Sequence, residues 1–114
     1  MKEKGKRAEE EAIAYLKRKG YSILERNYFT RFGEIDVVAK KDGFIVFIEV
    51  KSSEAWDAEY NITLHKAKKL YKAAMVYLSR KGFVDLPFRF DLIAINGGNL
   101  NHYENILGEG GVFG

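Results

Sequence analysis

Apolar residues recur along this chain in two rhythms, one helical and one extended. Across residues 3–19 they fall at Ala8, Ala12, Ile13, Tyr15 and Leu16, amid Glu and Lys, and Gly20 follows. That spacing predicts an amphipathic helix with a glycine at its C-terminus. Glu9 precedes Ile13 by four residues and Leu16 by seven, at the margin of the buried stripe. It either turns inward there or offsets nearby Lys and Arg on the helix surface.

Residues 21–27 alternate as a strand, and a short loop through Thr30 and Arg31 reaches Gly33. The segment GEIDVVAKKDGFIVFIEVK then reads as a hairpin, with a strand over 34–40, a turn at Lys41-Asp42-Gly43 and a second strand over 44–51. After a polar loop over 52–60, a second helix spans 62–81 and stops at Gly82. Pro87 lies before a strand over 88–96, Gly97-Gly98 makes a turn, and 100–107 forms a last extended piece. Residues 108–114 read as a flexible tail. The order αβββαββ predicts one α/β domain over residues 1–114, a mixed central sheet with helices packed against it.

The hairpin carries the candidate chemistry. Residues 44–48 are five apolar side chains in a row, as in a strand buried on both faces, and they lead directly into Glu49 and Lys51. An ionised carboxylate is costly there unless something pairs with it. Side chains two apart on a strand share a face, about 7 Å apart. Regular alternation places Glu34, Asp36 and Val38 on one side, Ile35, Val37 and Ala39 on the other, and Phe47, Glu49 and Lys51 together. Hairpin pairing brings Asp36 and Glu49 to the same end of adjacent strands. Two neighbouring carboxylates repel unless a cation sits between them, and a divalent metal is the natural one. Mg²⁺ is held by one or two carboxylates and keeps waters for a substrate phosphate. Lys51, beside such a phosphate, can orient or help deprotonate water, or stabilise charge on the phosphorus oxygens. The same three residues would also serve as a structural ion-pair cluster.

Composition narrows the setting. The 114 residues are 46% hydrophobic and 31% charged, as in an ordinary globular protein. No apolar stretch is long enough to span a bilayer, and MKEKGKRAEEE is charged where a signal peptide is apolar, so a cytoplasmic protein with no membrane partner is expected. The absence of Cys excludes disulfides and thiolate metal sites, leaving oxygen ligands, His65 and His102. A net charge of +3 leans towards an anionic partner.

Taken together, these residues resemble a known family. Asp36 followed by Glu49-Val50-Lys51, behind a helix carrying Glu9, resembles the restriction-endonuclease-like superfamily with its PD-(D/E)xK signature. Ala8-Glu9-x-x-Ala12, Gly20-Tyr21-x-Ile23-Leu24-x-Arg26-Asn27, Gly33-Glu34-Ile35-Asp36, Phe47-Ile48-Glu49-Val50-Lys51, Lys66 and Arg89-Phe90-Asp91 are similar to the YraN-type family of that superfamily. The likeness runs over roughly residues 5–107. Ile35 stands where the superfamily signature has Pro, which is not a ligand position. The resemblance implies a restriction-endonuclease-like core, Asp36 and Glu49 as metal ligands with the Val50 carbonyl as a third, Lys51 as the catalytic lysine, and Glu9 supporting the metal or its water. It also implies kinship with archaeal Holliday-junction resolvases, but no settled activity.

Other residues extend the picture. Lys66 shares a helical stripe with Leu70, Ala73 and Tyr77, and either looks towards the site or lies along the helix surface. Arg89 and Asp91 read as a sheet-stabilising ion pair, Glu34 as a solvated strand-edge group or an outer ligand, and His65 and His102 as surface residues. Trp56, with Asp57 and Tyr60, either stacks on an unpaired base or anchors its loop. Arg26, Arg31, Lys40, Lys41, Lys66, Lys68, Lys69 and Lys72 can track a phosphate backbone without reading bases. The expected function is a metal-dependent endonuclease acting on DNA, including branched or repair intermediates, with Mg²⁺ and with Mn²⁺ able to substitute. A nucleic-acid- or partner-binding module without turnover is the alternative. The strand faces and basic helix permit a homodimer.

Overall fold

The structure is a computed structural model that describes residues 2–52 and 64–108, with side chains from Lys6 onward. Seven elements follow one another: α1 (Lys2–Arg18), β1 (Ser22–Thr30), β2 (Gly33–Lys41), β3 (Phe44–Ser52), α2 (Leu64–Lys81), β4 (Phe88–Asn96) and β5 (Asn99–Tyr103). The expected order αβββαββ is the observed one. The five strands form one sheet in the order β1-β2-β3-β4-β5, antiparallel except for the parallel pair β3–β4. A parallel pair requires a crossover, and α2 lies in it. No helix among the described residues is long and apolar enough to cross a membrane.

Both helices end through the same hydrogen bonds. In α1, Tyr21 N–H donates to Leu16 C=O and Gly20 N–H to Lys17 C=O, a Schellman closure that needs a left-handed residue, supplied by Gly20 at φ 91°. The β2–β3 hairpin turns on Asp42 and Gly43, whose φ values of 52° and 84° define the tight two-residue turn favoured by Asp-Gly.

Each helix covers one face of the sheet. Ala8, Ala12, Ile13 and Leu16 pack on Val37, Ala39, Val46, Ile48, Ile93 and Ile95. On the other face, Leu70, Ala73, Ala74, Tyr77 and Leu78 pack on Ile35, Val38, Ile45, Phe47, Phe90 and Leu92. Ile45 to Ile48 have no solvent exposure, as their continuous apolar run requires.

Three expectations are corrected. Strict alternation along β2 fails: Ile35 packs under α2 while Val37, two residues on, packs under α1. β1 inverts at the same level, since Arg26 pairs with Glu10 of α1 whereas Tyr28 meets Tyr77 of α2. At this level Asn27 takes a φ of 51°, a left-handed residue within a strand that continues to Thr30 rather than ending at residue 27. The segment expected to be extended to Leu107 stops at Tyr103. It then turns through Asn105 at φ 57°, which lets Ile106 N–H reach Phe90 C=O at 2.7 Å and buries the Ile106 side chain.

Candidate active site

The hairpin ladder runs from Lys41↔Phe44 to Val37↔Ile48. One further step would pair Asp36 with Glu49 through the main chain. Instead the Asp36 carboxylate enters the gap and accepts the Val50 N–H at 2.8 Å. The inversion at Asn27 and Asp36 is therefore what turns a strand residue into a side-chain acceptor at the edge of β3. In extended chain the N–H and C=O of one residue lie on the same edge, so the Val50 carbonyl also faces this gap.

Burial, first, and the charge of Glu49, second, push the Asp36 carboxyl up to about 7; the Val50 N–H opposes this, while Glu9 and Glu34 add to it. Glu49 is 8% exposed. Its Oε2 lies 3.2 Å from the Lys66 ammonium and 3.9 Å from that of Lys51. Burial and the adjacent Lys66 hold the Lys51 ammonium below the usual lysine range. Burial acts against Lys66 too, but its bonds to Lys51 and Glu49 hold it above that range. The structure thus settles the orientation of Lys66: it turns into the site.

Glu9 is held by Asn27, whose amide donates to both carboxylate oxygens at 3.0 and 3.1 Å. Asn27 is a site residue that alternation reasoning passes over. The available signal was an Asn, which tolerates φ > 0, within a run otherwise readable as strand. Asn27→Ala is expected to cost about 1–2 kcal/mol from the left-handed backbone, with Asn27→Gly restoring stability but not the Glu9 clamp; thermal denaturation of the two variants distinguishes backbone from amide.

Around this centre, Glu49 and Lys66 line a hollow of about 130 Å³ with Phe32, Glu34, Lys69 and Leu70. Glu34 is exposed at its rim, and the expected cation Lys69 faces it. Arg31 lies just outside, its guanidinium 4.9 Å from the Phe32 ring centroid. Lys72 is 5.5 Å from the same ring. Other cations of the expected set go elsewhere: Arg26 pairs with Glu10, and Lys41 donates to Lys19 C=O at 2.7 Å. Trp56, Asp57 and Tyr60 lie outside the described residues.

Among the described residues, no three His, Asp or Glu side chains already stand as a metal cage. The donor set nevertheless fits a hard cation that asks for one or two carboxylates and keeps its waters. Asp36 and Glu49 converge on one gap, a main-chain carbonyl faces it, and Asp36 shows the repulsion that a cation would relieve.

Arg89 and Asp91 form the expected ion pair, with guanidinium-to-carboxylate bonds of 3.0 and 3.1 Å. His102 departs from the surface position expected for it. Its Nε2 is 2.7 Å from Asp91 Oδ2, its Nδ1 is 2.9 Å from the Tyr15 hydroxyl, and its side chain is 7% exposed. The pairing of β5 with β4 brings it there, with His102 opposite Ile93, and Tyr15 of α1 closes over it, a tertiary juxtaposition that local spacing does not display. His65 is exposed, as expected.

Fold and site together define an α/β protein whose five-stranded mixed sheet, flanked by two helices, is compatible with a nuclease-like fold and carries a carboxylate–lysine cluster at one strand end. Residues 8–95 match the model described as uncharacterised protein family UPF0102, the YraN-like family that the motifs resemble, and the chain belongs to that family. It is 46% identical over 105 residues to a UPF0102 protein of Helicobacter pylori strain J99, covering 92% of this chain and 91% of the relative. A UPF0102 protein of Thermodesulfovibrio yellowstonii is 47% identical over 106 residues, covering 90% and 94%. One from Persephonella marina is 41% identical over 105 residues, covering 90% of each.

Proposed function

We propose that this protein hydrolyses phosphodiester bonds of DNA, including those of branched or repair intermediates, with Mg²⁺ or Mn²⁺ held by Asp36, Glu49 and the Val50 carbonyl. The observation that carries this reading is Asp36 itself. A half-buried carboxyl that faces Glu49, Glu9 and Glu34, and is pushed up to about 7 by desolvation and those charges, is poorly explained as a structural ion pair.

When bound, the metal would supply Lewis-acid polarisation of the phosphate and help form a nucleophile near neutral pH. Lys51, at the Glu49 carboxylate, stands where an attacking water is oriented or its proton received. Lys66 neutralises Glu49 on its other side and offers its charge to phosphate oxygens. Asn27 keeps Glu9 aimed from α1 towards the same centre. Lys69 and Arg31, at and beyond the hollow, attract the flanking backbone without selecting bases.

The test is calorimetric titration of Mg²⁺ and Mn²⁺ into the wild type and Asp36→Asn. The same samples are then incubated with labelled single strands, duplex, flaps and four-way junctions. Metal uptake is expected in the wild type and not in the variant, with cleavage lost in Lys51→Ala. Metal uptake without cleavage of any substrate would identify a binding module instead. Absence of uptake would leave Asp36, Glu49 and Lys51 as a structural cluster.

A further inference from the structure

We propose that the groove beside the site binds an unpaired flank of the DNA substrate, stacking its bases on Tyr71 and on the Arg31–Phe32 pair. The inference rests on the phosphodiesterase reading for the identity of the strand. The groove encloses about 650 Å³, and its lining includes Arg31, Phe32, Tyr71, Lys72, Met75 and Arg80. Phe32 also lines the hollow that holds Glu49 and Lys66, so the two spaces are continuous through one ring. α2 divides them: Lys69, Leu70 and Ala73 face the hollow, and Tyr71, Lys72 and Met75 face the groove.

The chemistry of the lining selects the occupant. Three cations and no carboxylate line it, around an apolar floor of Phe32, Met75 and Val76. Tyr71 is 48% exposed, while its ring approaches Phe88 and Phe90 at centroid distances of 6.4 and 6.1 Å, which brace it against the sheet. The Arg31 guanidinium over Phe32 provides a second surface on which a base can stack. A phosphate backbone alone would meet the cations and leave the aromatic floor unused. In a duplex the bases are already stacked on one another and offer no free faces. An unpaired strand satisfies both, placing phosphates on Arg31, Lys72 and Arg80 and bases on the rings.

The probe is a labelled oligothymidine of about 20 nucleotides, long enough to exceed one such site. Its binding to the full chain in chelator is followed by fluorescence anisotropy beside a duplex of equal length. The single strand is expected to bind at least about tenfold more tightly than the duplex. Tyr71→Leu and Phe32→Leu, which keep apolar bulk but remove the ring, should each weaken single-strand binding about tenfold. Duplex binding should change little. Tyr71→Leu is the decisive variant because Tyr71 is exposed and its circular dichroism should match wild type. Equal affinity for duplex, or a Tyr71→Leu protein that binds oligothymidine like the wild type, overturns the inference. Oligothymidine binding that is weakened in Tyr71→Leu, in a protein that cuts no substrate with Mg²⁺, upholds the groove and overturns the phosphodiesterase reading. Cutting with Mg²⁺ that Tyr71→Leu leaves unchanged on every flanked substrate does the reverse.

Discussion

Asp36→Asn is expected to abolish DNA cleavage while raising the melting temperature at pH 8 in chelator. The two effects share one cause. Wild-type Asp36 faces Glu49, Glu9 and Glu34 in a half-buried setting, and its carboxyl is pushed up to about 7. Such a group gives up its proton more readily in the unfolded chain, where a carboxyl titrates near 4. Its contribution to stability therefore falls as pH rises from about 4 to about 7, and the full penalty remains above that. Each unit of displacement corresponds to about 1.4 kcal/mol. Part of this is screened because Asp36 is not wholly enclosed, so a gain of about 1–3 kcal/mol is expected in the variant, several degrees for a domain of this size. Asparagine keeps an oxygen that can accept the Val50 N–H, so the gap in the ladder stays filled. The difference between the proteins should shrink as pH falls and vanish near 4. Added Mn²⁺ should stabilise only the wild type, and cleavage should drop by about three orders of magnitude, the scale of losing a preorganised charge stabiliser. A variant that melts earlier than wild type at pH 8 would show that Asp36 is a structural anion and would remove the basis for the site.

How much of this was legible in the sequence depends on the range of the interaction involved. Element order, both helix ends and the hairpin turn rest on local chemistry: Gly20 and Gly43 adopt the left-handed backbone their positions implied. The buried run of β3 followed from its continuous apolar character, and the adjacency of Asp36 to Glu49 from counting back from Asp42-Gly43. What failed was the assumption of period two through Asp36. Nothing in GEIDVVAK signals that Ile35 and Val37 part to opposite faces, at the level where the partner strand carries the left-handed Asn27. The direction of Lys66 likewise waits on the placement of α2 over the sheet, and the burial of His102 on the pairing of β5 with β4 and on Tyr15 of α1. The belonging of the chain to an uncharacterised family places its motifs among many relatives without adding a reaction.

Asp91→Ala is expected to move stability the other way, by about 3–5 kcal/mol, the scale of stranding one side of a buried ion pair. Asp91 has no solvent exposure, and burial alone would raise its carboxyl. Hydrogen bonds from His102 and Arg89, the Asn105 N–H and the Arg89 charge outweigh burial and hold it below the usual range. The Arg89 guanidinium also donates to the Tyr21 hydroxyl at 2.7 Å, and His102 reaches Tyr15 of α1. With a neutral His102, Nε2–H donates to Asp91 and Nδ1 accepts from Tyr15, so each group is satisfied. The network therefore ties α1, β4, β5 and the following turn together. Because the folded carboxyl titrates below its unfolded value near 4, its stabilisation is fully present above about pH 4 and is lost as pH falls through the folded value. Wild type should thus destabilise steeply below pH 4, whereas Asp91→Ala, already weakened at pH 7, should show a shallower acid limb in urea titrations. Equal stability of Asp91→Ala and wild type at pH 7 would refute the assignment. The two aspartates then separate by sign: the fully buried one, enclosed by donors, stabilises the fold when ionised, and the half-buried one, faced by acids, destabilises it. A fold retains the second kind of residue at a cost to stability, which is the physical reason to place the chemistry at Asp36 and not at Asp91.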